Sequence, residues 1–205
     1  SGAVLRGLIH NAGVNTPCKG MMALTPEEWT RVMDINMNGP LFLTQELYSL
    51  FGRTTPETNR ILLLNTIARE CTGLPNYGPY CVSKLGAYGV AQMLKEELPG
   101  GDPAVYTTTL IPGEVNTAMQ QNTAYLHSAG FPEKLVSHWR RLHETNQLLP
   151  PEVAGAFIEF VVCDTTPEEF QGKEWFMYDE THHPRWAGEF PGVSLEEPRG
   201  LFGDH

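Results

Sequence analysis

Apolar positions along the chain fall into four short runs, separated by longer stretches in which they recur at helical spacing. Residues 4–12 (VLRGLIHNA) read as a buried strand that turns at Asn11-Ala12-Gly13. Thr25-Pro26-Glu27-Glu28 then sets an N-cap residue, a proline at the first helical position and two acids in the first turn, so a helix begins there. Its apolar positions run to about residue 51, with an interruption at Gly39-Pro40. Residues 60–66 (RILLLNT) are apolar without alternation, as a central parallel strand requires. A second helix spans 79–98 and is stopped by Pro99-Gly100-Gly101. Residues 105–111 (VYTTTLI) form a β-branched third strand ending at Pro112-Gly113. Residues 118–148 read as a partly helical excursion, 151–162 as a helix, and 174–178 (EWFMY) as a fourth strand.

Strands alternating with helices of this length predict an α/β fold with a mostly parallel sheet. Residues 1–180 form one domain in this reading, and 181–205, rich in Pro, Gly and acidic residues, an extended C-terminal tail. The composition, 41% apolar and 19% charged over 205 residues, suits one globular domain. A net charge of −10 argues against a nucleic-acid footprint, and the only dense basic group, His138-Trp139-Arg140-Arg141, is too short to make one. Cys18, Cys71, Cys81 and Cys163 are widely spaced, as suits reduced thiols in a cytoplasmic protein. No apolar run reaches the roughly 18 residues of a membrane span. No metal site is expected: His138 and His143 miss the spacing of a helical pair, and His182-His183 have no ligand cluster nearby.

In open α/β sheets ligands bind beyond the carboxyl ends of the strands. Those ends carry Asn11-Ala12-Gly13, Thr66-Ile67-Ala68 and Pro112-Gly113-Glu114. The helix after Thr66 starts at that edge, so Tyr80 in its first turn stays near the site, whereas Tyr88 lies about 12 Å further along the axis and reads as packing. Tyr77 falls in the loop before it. Tyr80 and Lys84, four apart, share a helix face. A neighbouring ammonium lowers a phenol's pKa, and such a pair can exchange a proton with an alcohol or carbonyl oxygen. The spacing alone favours a plainer reading, an exposed lysine beside a packed tyrosine; the converging turns are what alter it.

Taken together, HNAG (10–13), DINMNG (34–39), NTIA (65–68), YCVSK (80–84) and PGEVNT (112–117) resemble the short-chain dehydrogenase/reductase family, in order and over residues 4–180. The resemblance implies a Rossmann-like sheet, here its second half, strands four to seven. It implies NAD or NADP as cofactor, Tyr80 as general acid/base, Lys84 lowering the Tyr80 pKa and binding the nicotinamide ribose, Thr66 in the place of a serine that orients the substrate oxygen, and Asn36 holding a relay water. Asn11, Ala12 and Gly13 would pass beneath the cofactor, and Pro112, Gly113, Val115 and Thr117 would hold its carboxamide. The family pairs the helices corresponding to 27–51 and 79–98 between subunits, which implies a homo- or hetero-oligomer.

Three departures stand out. His10 replaces a frequent asparagine and reads as a satisfied strand residue. Arg69-Glu70 puts charge where small residues are common, so an atypical substrate pocket is expected. No two of the twenty glycines are separated by a single residue, so the family's glycine-rich pyrophosphate turn cannot be written on this chain. The chain therefore reads as a fragment of a longer reductase or as a natural short form. The leading functional reading is an NAD(P)-dependent oxidoreductase acting on a small, hydrophobic carbonyl or alcohol, with 118–148 as a lid and Met119, Tyr125, Leu126, Phe131 and Trp139 as its wall. The alternatives are a cofactor-independent isomerase, dehydratase or cyclase built on Tyr80, Lys84 and Thr66, and a non-catalytic subunit partnering a full-length relative.

Overall fold

A computed structural model describes residues 3–55, 58–70, 74–122 and 130–198. Cys71, Tyr125 and Leu126 lie outside them. Four strands, β1 (Gly7–His10), β2 (Arg60–Leu64), β3 (Tyr106–Ile111) and β4 (Trp175–Phe176), pair in parallel in the order of the chain. Parallel neighbours need crossovers. Helices α1 (Pro26–Met33) and α2 (Gly39–Leu47) connect β1 to β2, and α3 (Gly78–Glu97) connects β2 to β3. Between β3 and β4 lie α4 (Ala118–Gln121), α5 (Glu133–Glu144), α6 (Pro151–Cys163) and α7 (Pro167–Gly172).

All five residues of β2 are buried, which is why its sequence shows no alternation. Its side chains nevertheless divide between two faces. Ile61 and Leu63 pack with Ala91 of α3, Phe51 and Val105, whereas Leu62 and Leu64 join Leu110 and the α6 residues Val153, Phe157, Phe160 and Val161. β2 is thereby covered on both faces, whereas β1, expected as a buried strand, is exposed or half-buried along its length, with Ile9 45% exposed, because it is the last strand of the described sheet.

The helix start at residue 25 is as predicted, with Thr25 and Glu28 forming a reciprocal capping box. The expected break at Gly39-Pro40 does not occur. A π-turn over Asp34–Asn38 carries the Gly39 N–H to the Asp34 carbonyl, so the ladder is already shifted where Pro40 lacks a donor and the chain stays helical. The fourth strand is shorter than expected because the chain leaves the sheet after Met177, whose N–H still bonds the Ile111 carbonyl at 3.0 Å. Helix α7, absent from the sequence reading, has its own capping box, Thr166 with Glu169.

The tail predicted as extended after residue 180 is, from 180 to 189, folded instead. Residues 180–185 and 187–189 form 3-10 turns that fold back onto the α6 face. His182 and Trp186 are buried there and stack on Phe157 at 4.7 and 5.2 Å. Trp186 Nε1 donates to His182 Nδ1 at 2.9 Å, so His182 is neutral with its proton on Nε2, which donates to the Phe176 carbonyl at 3.0 Å. His183 Nε2 donates to the Met177 carbonyl at 2.8 Å. The reason is apolar area: two aromatic rings cover a face of α6 that would otherwise meet water. Among the described residues no helix is long and apolar enough to cross a membrane.

Candidate active site

The carboxyl ends of the four strands surround a cleft of about 470 Å³. Asn11, Ala12 and Gly13 follow β1, Thr66 follows β2, Pro112, Gly113, Val115 and Thr117 follow β3, and Tyr80 and Lys84 come from the start of α3; all of them line it. Asn36 stands behind the cleft. Its Oδ1 accepts from Val14 N–H at 2.8 Å, and its amide donates to the Val14 carbonyl at 2.8 Å and to Ser83 Oγ at 2.9 Å. Ser83 in turn donates to the Tyr80 carbonyl at 2.8 Å. Asn36 thus ties the turn after β1 to the first turns of α3. An ideal Cβ at Gly13 would stand 3.4 Å from Asn36 Oδ1 and 3.8 Å from Lys84 Nζ, so glycine keeps that space open.

Thr66 Oγ1 accepts from Ala68 N–H at 3.2 Å, and the Thr66 side chain hydrogen-bonds the Tyr80 phenol. Lys84 is buried, and its ammonium donates to the Leu64 carbonyl at 2.8 Å. Burial lowers the Lys84 pKa to about 8. The expected lowering of the Tyr80 pKa is not produced by these surroundings. Burial, then the Cys81 thiol, push it up, and the bond from Thr66 offsets only part of that. At neutral pH the phenol holds its proton.

The segment after β3 is held by a short parallel bridge between Val115 and Leu149. Gly113 has φ +75°, and Tyr178 Oη donates to Glu114 Oε2 at 2.6 Å. Thr117 Oγ1 accepts from Gln120 N–H at 3.4 Å and so caps α4. Of the proposed wall residues, Met119 and Trp139 reach the cleft. Phe131 instead packs behind it, on Tyr77 and Trp139.

A sequence model of the short chain dehydrogenases matches residues 3–125. The chain belongs to the short-chain dehydrogenase family. Among curated relatives, the uncharacterized oxidoreductase YciK of Escherichia coli is 29% identical over 116 residues, covering 57% of this chain and 44% of the relative. Human retinol dehydrogenase 16 is 26% identical over 160 residues, covering 78% and 44%. The chain spans about half the length of these two relatives. Among solved structures, a short chain dehydrogenase/reductase from Saccharomyces cerevisiae superposes with a TM-score of 0.72 at 22% identity, over 84% of this chain and 66% of that one. One from Burkholderia cenocepacia in complex with NADP gives 0.64 at 17%, over 84% and 64%. The Rossmann-like fold is shared.

Two of the family departures are structural in this chain. His10 Nε2 bonds Thr44 Oγ1 at 2.9 Å, and burial lowers the His10 pKa to about 4. Arg69 forms a two-pronged pair with Glu174 and lies 4.3 Å from the centre of the Tyr88 ring, so the charge that promised an unusual pocket is taken up by packing. Tyr88 accordingly serves the scaffold. Sequence reasoning overlooked Ser83, Glu114 and Tyr178. Ser83 and Glu114 sit inside quoted motifs, so position was the available signal; nothing in EWFMY indicates that Tyr178 reaches a cleft.

Proposed function

We propose that this chain supplies the substrate-side residues of an NAD(P)-dependent oxidoreductase that interconverts a small hydrophobic carbonyl compound and its alcohol. The observation that carries the reading is Tyr80, protonated and hydrogen-bonded by Thr66, in a cleft shared with the buried amine of Lys84. The bound nicotinamide would supply or take the hydride. Gly13, which leaves room beside Lys84, and the 112–117 segment fit the nicotinamide end of that cofactor. Lys84 carries donors suited to ribose hydroxyls, once its ammonium exchanges the Leu64 carbonyl for them.

Thr66 and Tyr80 would hold the substrate oxygen between two hydroxyl donors, and Tyr80 would deliver its proton to that oxygen. The protonated phenol is the form that can donate to a carbonyl oxygen, the proton transfer that carbonyl reduction requires. Ile67, Val115, Leu135, Trp139 and Phe176 make the lining largely apolar, and the cleft volume suits a small to drug-sized molecule. The resemblance implies pairing through α2 and α3 with a second copy or a related chain, and we favour a second copy. Phe42, Leu43, Leu85 and Met93, all at least 47% exposed on those helices, support that arrangement.

The test is NADPH- and NADH-dependent reduction of a panel of hydrophobic ketones and aldehydes by the chain, with Tyr80→Phe and Thr66→Val beside it. Tyr80→Phe is expected to lower kcat/KM by at least about a hundredfold, the contribution of a positioned acid. Turnover that survives Tyr80→Phe, or that needs no nicotinamide, would sink the reading.

A further inference from the structure

One carboxylate on the cleft has no part in the chemistry above. Glu114 follows Gly113 at the end of β3. Its Oε2 accepts from Tyr178 Oη at 2.6 Å, and its own N–H donates to the same oxygen at 3.0 Å, which fixes the group in place. Its Oε1 faces His138 Nε2 at 3.9 Å. His138 is on α5, its side chain 4% exposed, and Nε2 has no hydrogen-bond partner among the described residues.

The tautomer of His138 follows from its other nitrogen. Arg141 Nη2 lies 3.3 Å from Nδ1, and a guanidinium can only donate, so Nδ1 accepts and Nε2 carries the proton. A buried N–H donor therefore stands 3.9 Å from a carboxylate oxygen, too far for a hydrogen bond and closer than the about 4.5 Å that a tetrahedral bridging water spans. A movement of about 1 Å would complete the bond. The two sides of this gap belong to the two walls of the cleft. Leu135 and Trp139, neighbours of His138 on α5, line one; Gly113 and Val115, either side of Glu114, line the other.

We propose that His138 and Glu114 form a clasp, in which Nε2–H donates to Oε1 and draws α5 against the segment after β3, closing the apolar wall over the cleft. His138 is then a positioning residue for the substrate. No proton is transferred, and the charge on Glu114 strengthens the bond. The effect on turnover rests on the reductase reading; the clasp itself does not.

Two measurements test it on the isolated chain. Nitrogen-15 spectra of the imidazoles at pH 7.5 are expected to show His138 as the Nε2–H tautomer; the opposite tautomer would overturn the proposal. Amide hydrogen exchange over residues 133–144 is expected to accelerate about tenfold in His138→Leu and in Glu114→Leu. The double variant should exchange no faster than the singles, and His138→Gln, which keeps an N–H donor, should recover most of the protection. Unchanged exchange in Glu114→Leu, or additive effects in the double variant, would refute the clasp even if His138→Leu fails to fold. If a ketone is turned over, His138→Leu should raise KM by a larger factor than it lowers kcat. Absence of any turnover would instead count against the reductase reading and leave the exchange result standing.

Discussion

Replacing Gly113 by alanine combines two costs at one position. At φ +75° a residue with a Cβ sits in the left-handed region, at a cost of about 1–2 kcal/mol. The added Cβ would also lie 2.6 Å from Tyr178 Oη, 2.8 Å from its Cζ and 3.0 Å from Leu149 Cδ1. Neither neighbour can give way cheaply. Tyr178 is bound to both the Glu114 carboxylate and its N–H, and its ring meets Phe176 edge-on at 5.4 Å. Leu149 is fully buried and its N–H bonds the Glu114 carbonyl at 2.9 Å. Displacing Tyr178 forfeits a hydrogen bond to a charged group, about 1.5–3 kcal/mol. The combined loss is about 3–4 kcal/mol, which for a chain of this size lowers Tm by about 10 °C. Urea and thermal unfolding of Gly113→Ala measure it, with Gly188→Ala as control. A Cβ at Gly188 meets nothing within 4 Å, and that variant should stay within about 0.5 kcal/mol of the parent. A Gly113→Ala protein within about 1 kcal/mol of the parent would refute the claim that Tyr178 is pinned over this turn.

Stability should also fall between pH 6.5 and 4. Burial depresses the pKa of His10 to about 4, and burial, partly opposed by the Phe176 carbonyl, depresses that of His182. The unfolded chain binds protons on both near 6.5, so it gains them before the native state does, and the stability present above 6.5 is lost as pH drops through this window. Urea midpoints at pH 7.5 and 5 check this; equal midpoints would refute it, and His10→Gln should flatten the profile. On the outer face of α3, Leu85→Glu with Met93→Glu should convert the proposed dimer to a monomer by light scattering, since each places charge on an exposed apolar position. A parent chain that is already monomeric would refute pairing there.

Local signals were legible where chemistry and geometry act within a few residues. Thr25-Pro26-Glu27-Glu28 predicted the first helix, and the same four residue types at Thr166-Pro167-Glu168-Glu169 start α7, where the identical signal went unread. Pro40 misled because its missing donor was judged against an ordinary α-helical ladder, whereas the π-turn before it moves the ladder first. His182 and Trp186 looked like tail because a short polar stretch gives no periodicity, although each is buried against α6.

The candidate site divides the same way. The sequence alone determined the parallel α/β fold, the three turns that edge the cleft and the pairing of Tyr80 with Lys84 on one helix face, because strand ends and helix spacing are set by neighbours in the chain. Only the tertiary structure decided what those groups are: a phenol held protonated, a lysine bonded to the Leu64 carbonyl, an asparagine bonded to Val14 and Ser83, and a Glu114 joined to Tyr178 sixty-four residues away. Protonation and hydrogen-bond partners depend on burial and on side chains distant in sequence, and both exist only once the sheet has brought its strand ends together.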